Sequence, residues 1–180
     1  MSEREIVVGV TGGVAAFKSA QLVSQLVQNG YNVTVVLTEA AEQFVGEATF
    51  AALTRRPVAR KVFDPVQFPL GAHIELSRRA TLLCVAPATA DFLAKAAHGL
   101  ADDLLSTLYL AFTGTILVAP AMNSEMWSKP VVQRNITQLR ADGVQFVDPD
   151  EGWLSCRTRG VGRMAPPETI AASIARLLGG

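Results

Sequence analysis

Residues 6–10 form a short β-branched apolar run that Thr11-Gly12-Gly13 breaks, and a helical pattern follows at once. Ala16, Ala20, Val23 and Val27 recur at steps of four, three and four, which puts them on one face of a helix. Asn29-Gly30 stops that helix, and residues 33–37 make a second apolar run with no polar alternation. A strand without alternation is covered on both faces. Strand, turn, helix and strand in this order imply a right-handed parallel crossover.

The rhythm repeats to the end of the chain. Residues 40–54 read as one or two short helices, 82–86 as a third buried strand, and 90–97 and 103–112 as helices. Residues 116–119 are a fourth strand, 131–141 a helix stopped by Gly143, 144–147 a short fifth strand, and 168–178 a closing helix after Pro166-Pro167. Residues 58–63 are read as a further edge strand. Two stretches break the rhythm and are expected to be loops. One is 65–73, with Pro65, Pro69 and Gly71; the other is 148–164, with Gly152, Gly160 and Gly162. Long loops of this kind tend to be lids or binding segments. The expectation is one α/β domain over residues 1–180. It is of Rossmann or flavodoxin type, a doubly wound parallel sheet with helices on both faces.

With 180 residues, nearly half of them apolar, the chain can bury one sizeable core and is not disordered. A formal net charge of zero gives no electrostatic footprint for nucleic acid. Sparse charge also leaves apolar surface, and Trp127 and Trp153 are expected to be exposed, which fits a homo-oligomer. Cys84 and Cys156 are too few and too far apart to form a disulfide framework. The polar start has no signal-peptide core and no apolar run is long enough to span a bilayer, so a reduced, cytoplasmic protein is expected.

In an open parallel sheet, ligands sit beyond the carboxyl ends of the strands. Three turns fall there, at residues 11–18, at Thr38-Glu39 and at 87–91. Thr11-Gly12-Gly13 leads into a helix N-terminus, where backbone N–H groups and the helix dipole favour an anion. The spacing is neither the dinucleotide fingerprint nor a Walker A loop. A glycine turn needed only for tight packing is the competing reading. Thr38 suits a phosphate and Glu39 a ribose; Ser106-Thr107 either meets a phosphate or, as preferred from the residues alone, is simply solvated.

His73, Asn123 and Cys156 each sit at a break beside a core element. Taken singly, His73 reads as a solvated or capping histidine, Asn123 as the N-cap of the 124–128 turn, and Cys156 as an ordinary loop thiol. Cys84 reads as core, His98 as a helix C-terminal residue, and Met122, Met126 and Trp127 as packing. No His/Cys/Asp/Glu cluster has metal-ligand spacing.

Together these neighbourhoods carry a resemblance. Pro120-Ala121-Met122-Asn123-Ser124-Glu125-Met126-Trp127 is similar to the P-x-M-N-x-x-M-W motif of the homo-oligomeric flavin-containing cysteine decarboxylases. His73-Ile74-Glu75-Leu76 resembles that family's active-site histidine segment. Pro87-Ala88-Thr89-Ala90-Asp91 resembles its flavin-contacting turn, where many members have Asn in place of Asp91, and residues 101–107 also match. Cys156 followed by Gly160-x-Gly162-Arg163-Met164 points to the coenzyme A branch, which carries a cysteine on a flap over the substrate. Ser155-Cys156-Arg157 departs from that branch's usual Ala-Cys-Gly.

The resemblance implies bound FMN, with Thr11, Gly12, Gly13, Lys18, Thr38, Pro87, Ala88, Thr89 and Ser106 as its contacts. It implies decarboxylation of 4'-phosphopantothenoylcysteine to 4'-phosphopantetheine by thiol oxidation, loss of carbon dioxide and re-reduction of the enethiol. His73 would manage the thiol proton, Asn123 with Ala121 and Met122 would hold the substrate, and Cys156 would donate a proton in the reductive half. A trimer or an assembly of trimers, and a separate or fused synthetase, come with the same resemblance. Oxidative decarboxylation of a peptide's C-terminal cysteine and a non-catalytic regulatory role are the alternatives. Related flavin prenyltransferases share the sheet but lack this motif combination.

Overall fold

The computed structural model describes residues 5–179. Five parallel strands form one sheet: β1 (Glu5–Val10), β2 (Asn32–Leu37), β3 (Ala80–Ala88), β4 (Thr115–Pro120) and β5 (Gln145–Phe146). Their order is β2-β1-β3-β4-β5, the flavodoxin-like arrangement, with its switch point between β1 and β3.

Alternation along each strand divides the core in two. Ile6, Val8 and Val10 point to one face, where α1 (Ala16–Gln28), α3 (Glu47–Thr54) and α9 (Pro167–Leu177) pack. Val7 points to the other, under α4 (Ala72–Arg79), α5 (Ala90–His98), α6 (Leu104–Ala111) and α8 (Pro130–Ala141). Each fully buried Val, Leu or Ile contributes about 1.5–3 kcal/mol, so both layers are needed. The remaining helices are single turns, α2 (Glu39–Glu42) and α7 (Ser124–Trp127). No helix among the described residues is long and apolar enough to cross a membrane.

Four expectations are corrected. The face that α1 buries is Ala16, Ser19, Leu22, Val23 and Leu26; Ala20 and Val27 lie only on its flank. Ser19 hides this face from an apolar count, because its buried hydroxyl donates to the Ala86 carbonyl at 2.6 Å. Residues 58–63 form no strand; a single bridge pairs Ala59 with Val36. The expected loop 65–73 ends early, since α4 starts at Ala72 behind Gly71 at φ 98°. Only Ala72 and Leu76 of α4 are buried, too sparse a stripe to show as a helix in sequence. The expected loop 148–164 is largely an antiparallel hairpin of β6 (Asp150–Trp153) and β7 (Arg159–Arg163).

Candidate active site

The turns after β1, β3 and β4 line a cleft of about 550 Å³ at the carboxyl edge of the sheet, within the usual range for small-ligand pockets. Gly12, Gly13, Lys18, Pro87, Thr89, Ala121, Met122 and Asn123 all line it. A more polar hollow adjoins it through Gly12, Thr89, Ala90 and Met126, and adds Thr11 and Thr38. Ala88 is fully buried behind the cleft and does not line it.

The two glycines of the first turn differ. A Cβ at Gly12 would run into Ala40, so this glycine admits the loop after β2 and serves packing. A Cβ at Gly13 would meet nothing closer than 4.0 Å, so the backbone there stays open to a ligand. The first turn of α1 has no side-chain cap; its leading N–H groups close on the preceding turn instead, Ala16 donating to the Gly13 carbonyl at 2.9 Å and Lys18 to the Ala15 carbonyl at 3.0 Å. Thr11 is only 3% exposed. Its hydroxyl donates to the Pro87 carbonyl at 2.6 Å and accepts from the Thr89 N–H at 3.1 Å, tying two turns together. Thr38 and Thr89 cap α2 and α5.

Asn123 does cap α7: its Oδ1 accepts from the Met126 N–H at 2.8 Å. That bond fixes the amide and leaves both Nδ2 protons without a protein partner among the described residues. The β6–β7 hairpin lies along this loop, with the Met122 N–H donating to the Gly162 carbonyl at 3.0 Å. Gly162 sits at φ 142°, and a Cβ there would collide with the Met122 carbonyl; a Cβ at Gly160 would press on Ser124. The two glycines therefore let the hairpin close one wall of the cleft.

Lys18 and Arg163 face the same cleft, and neither pairs with a carboxylate among the described residues. Burial holds Lys18 below the usual lysine range; Arg163 adds to this, and Asp150 and Glu168 oppose it. The Lys18 ammonium donates to the Met164 carbonyl at 3.3 Å. Asp91 is neutralised by Lys95 at 3.2 Å, and the same ammonium reaches Asp102 at 3.1 Å and Asp103 at 3.6 Å, locking α5 to the start of α6.

Besides Ala88, three expected residues stand apart from the cleft. Ser106 is 1% exposed and closes a capping box with Asp103, so it is neither solvated nor on the cleft wall. His73 lies in the first turn of α4, which packs on α6, and lines no part of the cleft; its Nδ1 is buried without a partner. Cys156 is exposed at the hairpin tip, one residue beyond Ser155, which does line the cleft. Arg157 beside it takes the left-handed conformation at φ 63°, where glycine is favoured. Trp153 is exposed as expected, whereas Trp127 is half-buried against the α8 side of the core.

Sequence reasoning missed Arg163, quoted only as a motif letter, and Phe17, whose exposed ring on the first turn of α1 also lines the cleft. The arrangement accepts a flat apolar group beside Phe17 and Met122, with one anionic end at the turn before α1.

The Flavoprotein family model matches residues 1–179. The chain is 44% identical over 170 residues to the coenzyme A biosynthesis bifunctional protein CoaBC of Bacillus subtilis (strain 168), covering 94% of this chain and 42% of that protein. It therefore spans less than half the length of that relative. Among solved structures, a cysteine-to-serine mutant of PPC decarboxylase complexed with pantothenoylaminoethenethiol superposes with a TM-score of 0.88, at 28% identity over 99% of this chain and 100% of the other. The FMN-dependent cysteine decarboxylase SpaF gives a TM-score of 0.83 at 32% identity over 98% of each chain. Matched by the family model over residues 1–179 and by a cysteine decarboxylase structure over nearly its whole length, the chain belongs to the Flavoprotein family, among its flavin-containing cysteine decarboxylases.

Proposed function

We propose that residues 1–180 act as one FMN-dependent decarboxylase domain that converts 4'-phosphopantothenoylcysteine to 4'-phosphopantetheine in coenzyme A biosynthesis. The observation that carries this reading is Asn123, with its amide fixed by its own capping bond and its free donors in a cleft walled by the cysteine-bearing hairpin. The residues that would hold the FMN phosphate are those of the Gly12-Gly13 turn with Thr38 nearby, and Phe17 and Met122 would face its ring. Bound flavin supplies the two-electron acceptor and donor that a cysteine side chain lacks.

The protein groups divide the remaining work. The neutral Asn123 amide holds the substrate carboxylate without the strong ground-state grip of a lysine, which would oppose its loss. Ala121 and Met122 shape the seat beside it. Lys18 and Arg163 draw the anionic substrate in. His73 takes the thiol proton as a general base. Cys156 returns a proton to the enethiol carbon in the final step, and the hairpin excludes water.

His73 is absent from the cleft of its own chain, so a second copy supplies it. Phe63 at 87% exposure, Val66 at 93% and Leu70 at 65% precede His73 and offer the apolar contact for that copy. A trimer, or an assembly of trimers, with sites between subunits satisfies both observations. A synthetase, fused or separate, is the functional partner, and the cytoplasm is the compartment.

The test is anaerobic incubation of the purified yellow protein with 4'-phosphopantothenoylcysteine and, separately, a peptide ending in cysteine. FMN released on denaturation and a saturated aminoethanethiol product from the first substrate are expected. FAD or NAD in place of FMN, or turnover of the peptide alone ending at an enethiol, would refute the assignment.

A further inference from the structure

We infer that Thr158 is a positioning residue for Cys156, holding the thiol in place and receiving the thiolate left after proton transfer. The inference rests on the decarboxylase reading above. The Cys156 Sγ and Thr158 Oγ1 lie 3.0 Å apart across the hairpin tip. Two backbone bonds fix this approach: the Arg157 N–H donates to the Leu154 carbonyl and the Leu154 N–H to the Thr158 carbonyl, both at 2.9 Å. The left-handed Arg157 between them closes the turn and brings the two side chains together.

The chemistry asks for such a partner. The enethiol gains two electrons from the reduced cofactor together with one hydrogen, and one proton from Cys156, giving the saturated thiol. Cys156 is left as a thiolate and regains its proton from water. A thiol can donate to a hydroxyl, and a thiolate can only accept from one. The Thr158 hydroxyl rotates to serve in both states, which an aliphatic side chain of the same shape cannot. The charged residues next to the pair in the hairpin are Arg157 and Arg159, the latter paired with Glu151 at 3.6 Å, and α7, which packs against β7, carries Glu125. A change at Thr158 leaves all of them in place.

The test uses Thr158→Val and Thr158→Ser in the holoenzyme. Cys84 is fully buried and its thiol is pushed up to about 12 by desolvation, so iodoacetamide reads Cys156 alone in the native protein. At one fixed pH, alkylation of Cys156 is expected to change severalfold in rate in Thr158→Val, the thiol having lost the contact that holds it, and to return to the original rate in Thr158→Ser. In anaerobic single turnover, enethiol reduction in Thr158→Val should slow about tenfold relative to carbon dioxide release, with a species two mass units below product accumulating. An unchanged alkylation rate, an unchanged ratio of the two steps, or a defect that Thr158→Ser does not restore, overturns the inference. A changed alkylation rate in a chain that never turns over 4'-phosphopantothenoylcysteine overturns the decarboxylase reading instead, and the reductive role with it.

Discussion

At the amino edge of the sheet, Glu5 is 9% exposed and fully engaged. Arg56 reaches it at 3.2 Å, Arg79 at 3.4 Å and the Thr34 hydroxyl at 2.9 Å. At the carboxyl edge, among the described residues, Lys18 and Arg163 face the cleft without a carboxylate partner and Asn123 keeps two donors free. A folded chain rarely leaves buried polar groups unmatched. The amino edge matches them with protein and so adds stability. The carboxyl edge leaves its polar groups facing the cleft.

The sharpest way to break this contrast is Asn123→Asp. Aspartate caps a helix as well as asparagine, so α7 should survive and FMN should stay bound. A second carboxylate would repel that of the substrate, and turnover should fall about 10³-fold. Near-normal kcat would remove Asn123 from the chemistry and leave it only a cap. Next in size is Gly162→Ala. The added methyl would push β7 off the Met122 carbonyl. Displacement of that wall should lower kcat/KM about 10²-fold, with a stability loss of about 1–3 kcal/mol in urea titration. Full activity would show that the hairpin need not rest on the Asn123 loop.

Glu5→Gln acts at the other edge. It should cost about 1–2 kcal/mol in chemical denaturation, discounted for the half-exposed arginines, while kcat per folded molecule stays unchanged. A fall in kcat would show that the edges are coupled. Smallest is Arg157→Gly, which relieves the left-handed strain at the hairpin tip. About 1 kcal/mol of stabilisation, or roughly 2–4 °C in Tm, is expected by calorimetry. A lower Tm would mean that the arginine side chain holds the tip.

Much of this was legible in the chain itself. The β-branched runs without alternation announced a parallel sheet, because only a strand covered on both faces tolerates them. The Asn123 neighbourhood stood out because Pro, Met, Asn and Trp at fixed steps serve a loop rather than a periodic element. Less legible was α4, whose two buried residues give almost no stripe, and the hairpin, whose alternate positions carry arginine and glycine instead of apolar residues. The dual nature of Gly12 and Gly13 was out of reach, since it depends on Ala40 from a distant turn. So was the burial of Ser106, whose hydroxyl is held by a capping aspartate three residues before it.

Anaerobic stopped-flow absorbance tests the central claim most directly, that the carboxyl edge is where the cysteine is oxidised and its carboxylate lost. Mixing the holoprotein with 4'-phosphopantothenoylcysteine should bleach the flavin band and then restore it within one turnover, with carbon dioxide released between the two phases. Asn123→Asp should bind FMN and fail to bleach, and Glu5→Gln should follow the unaltered protein. A band that stays unchanged with this substrate in the unaltered protein, or bleaches equally in Asn123→Asp, would contradict the account.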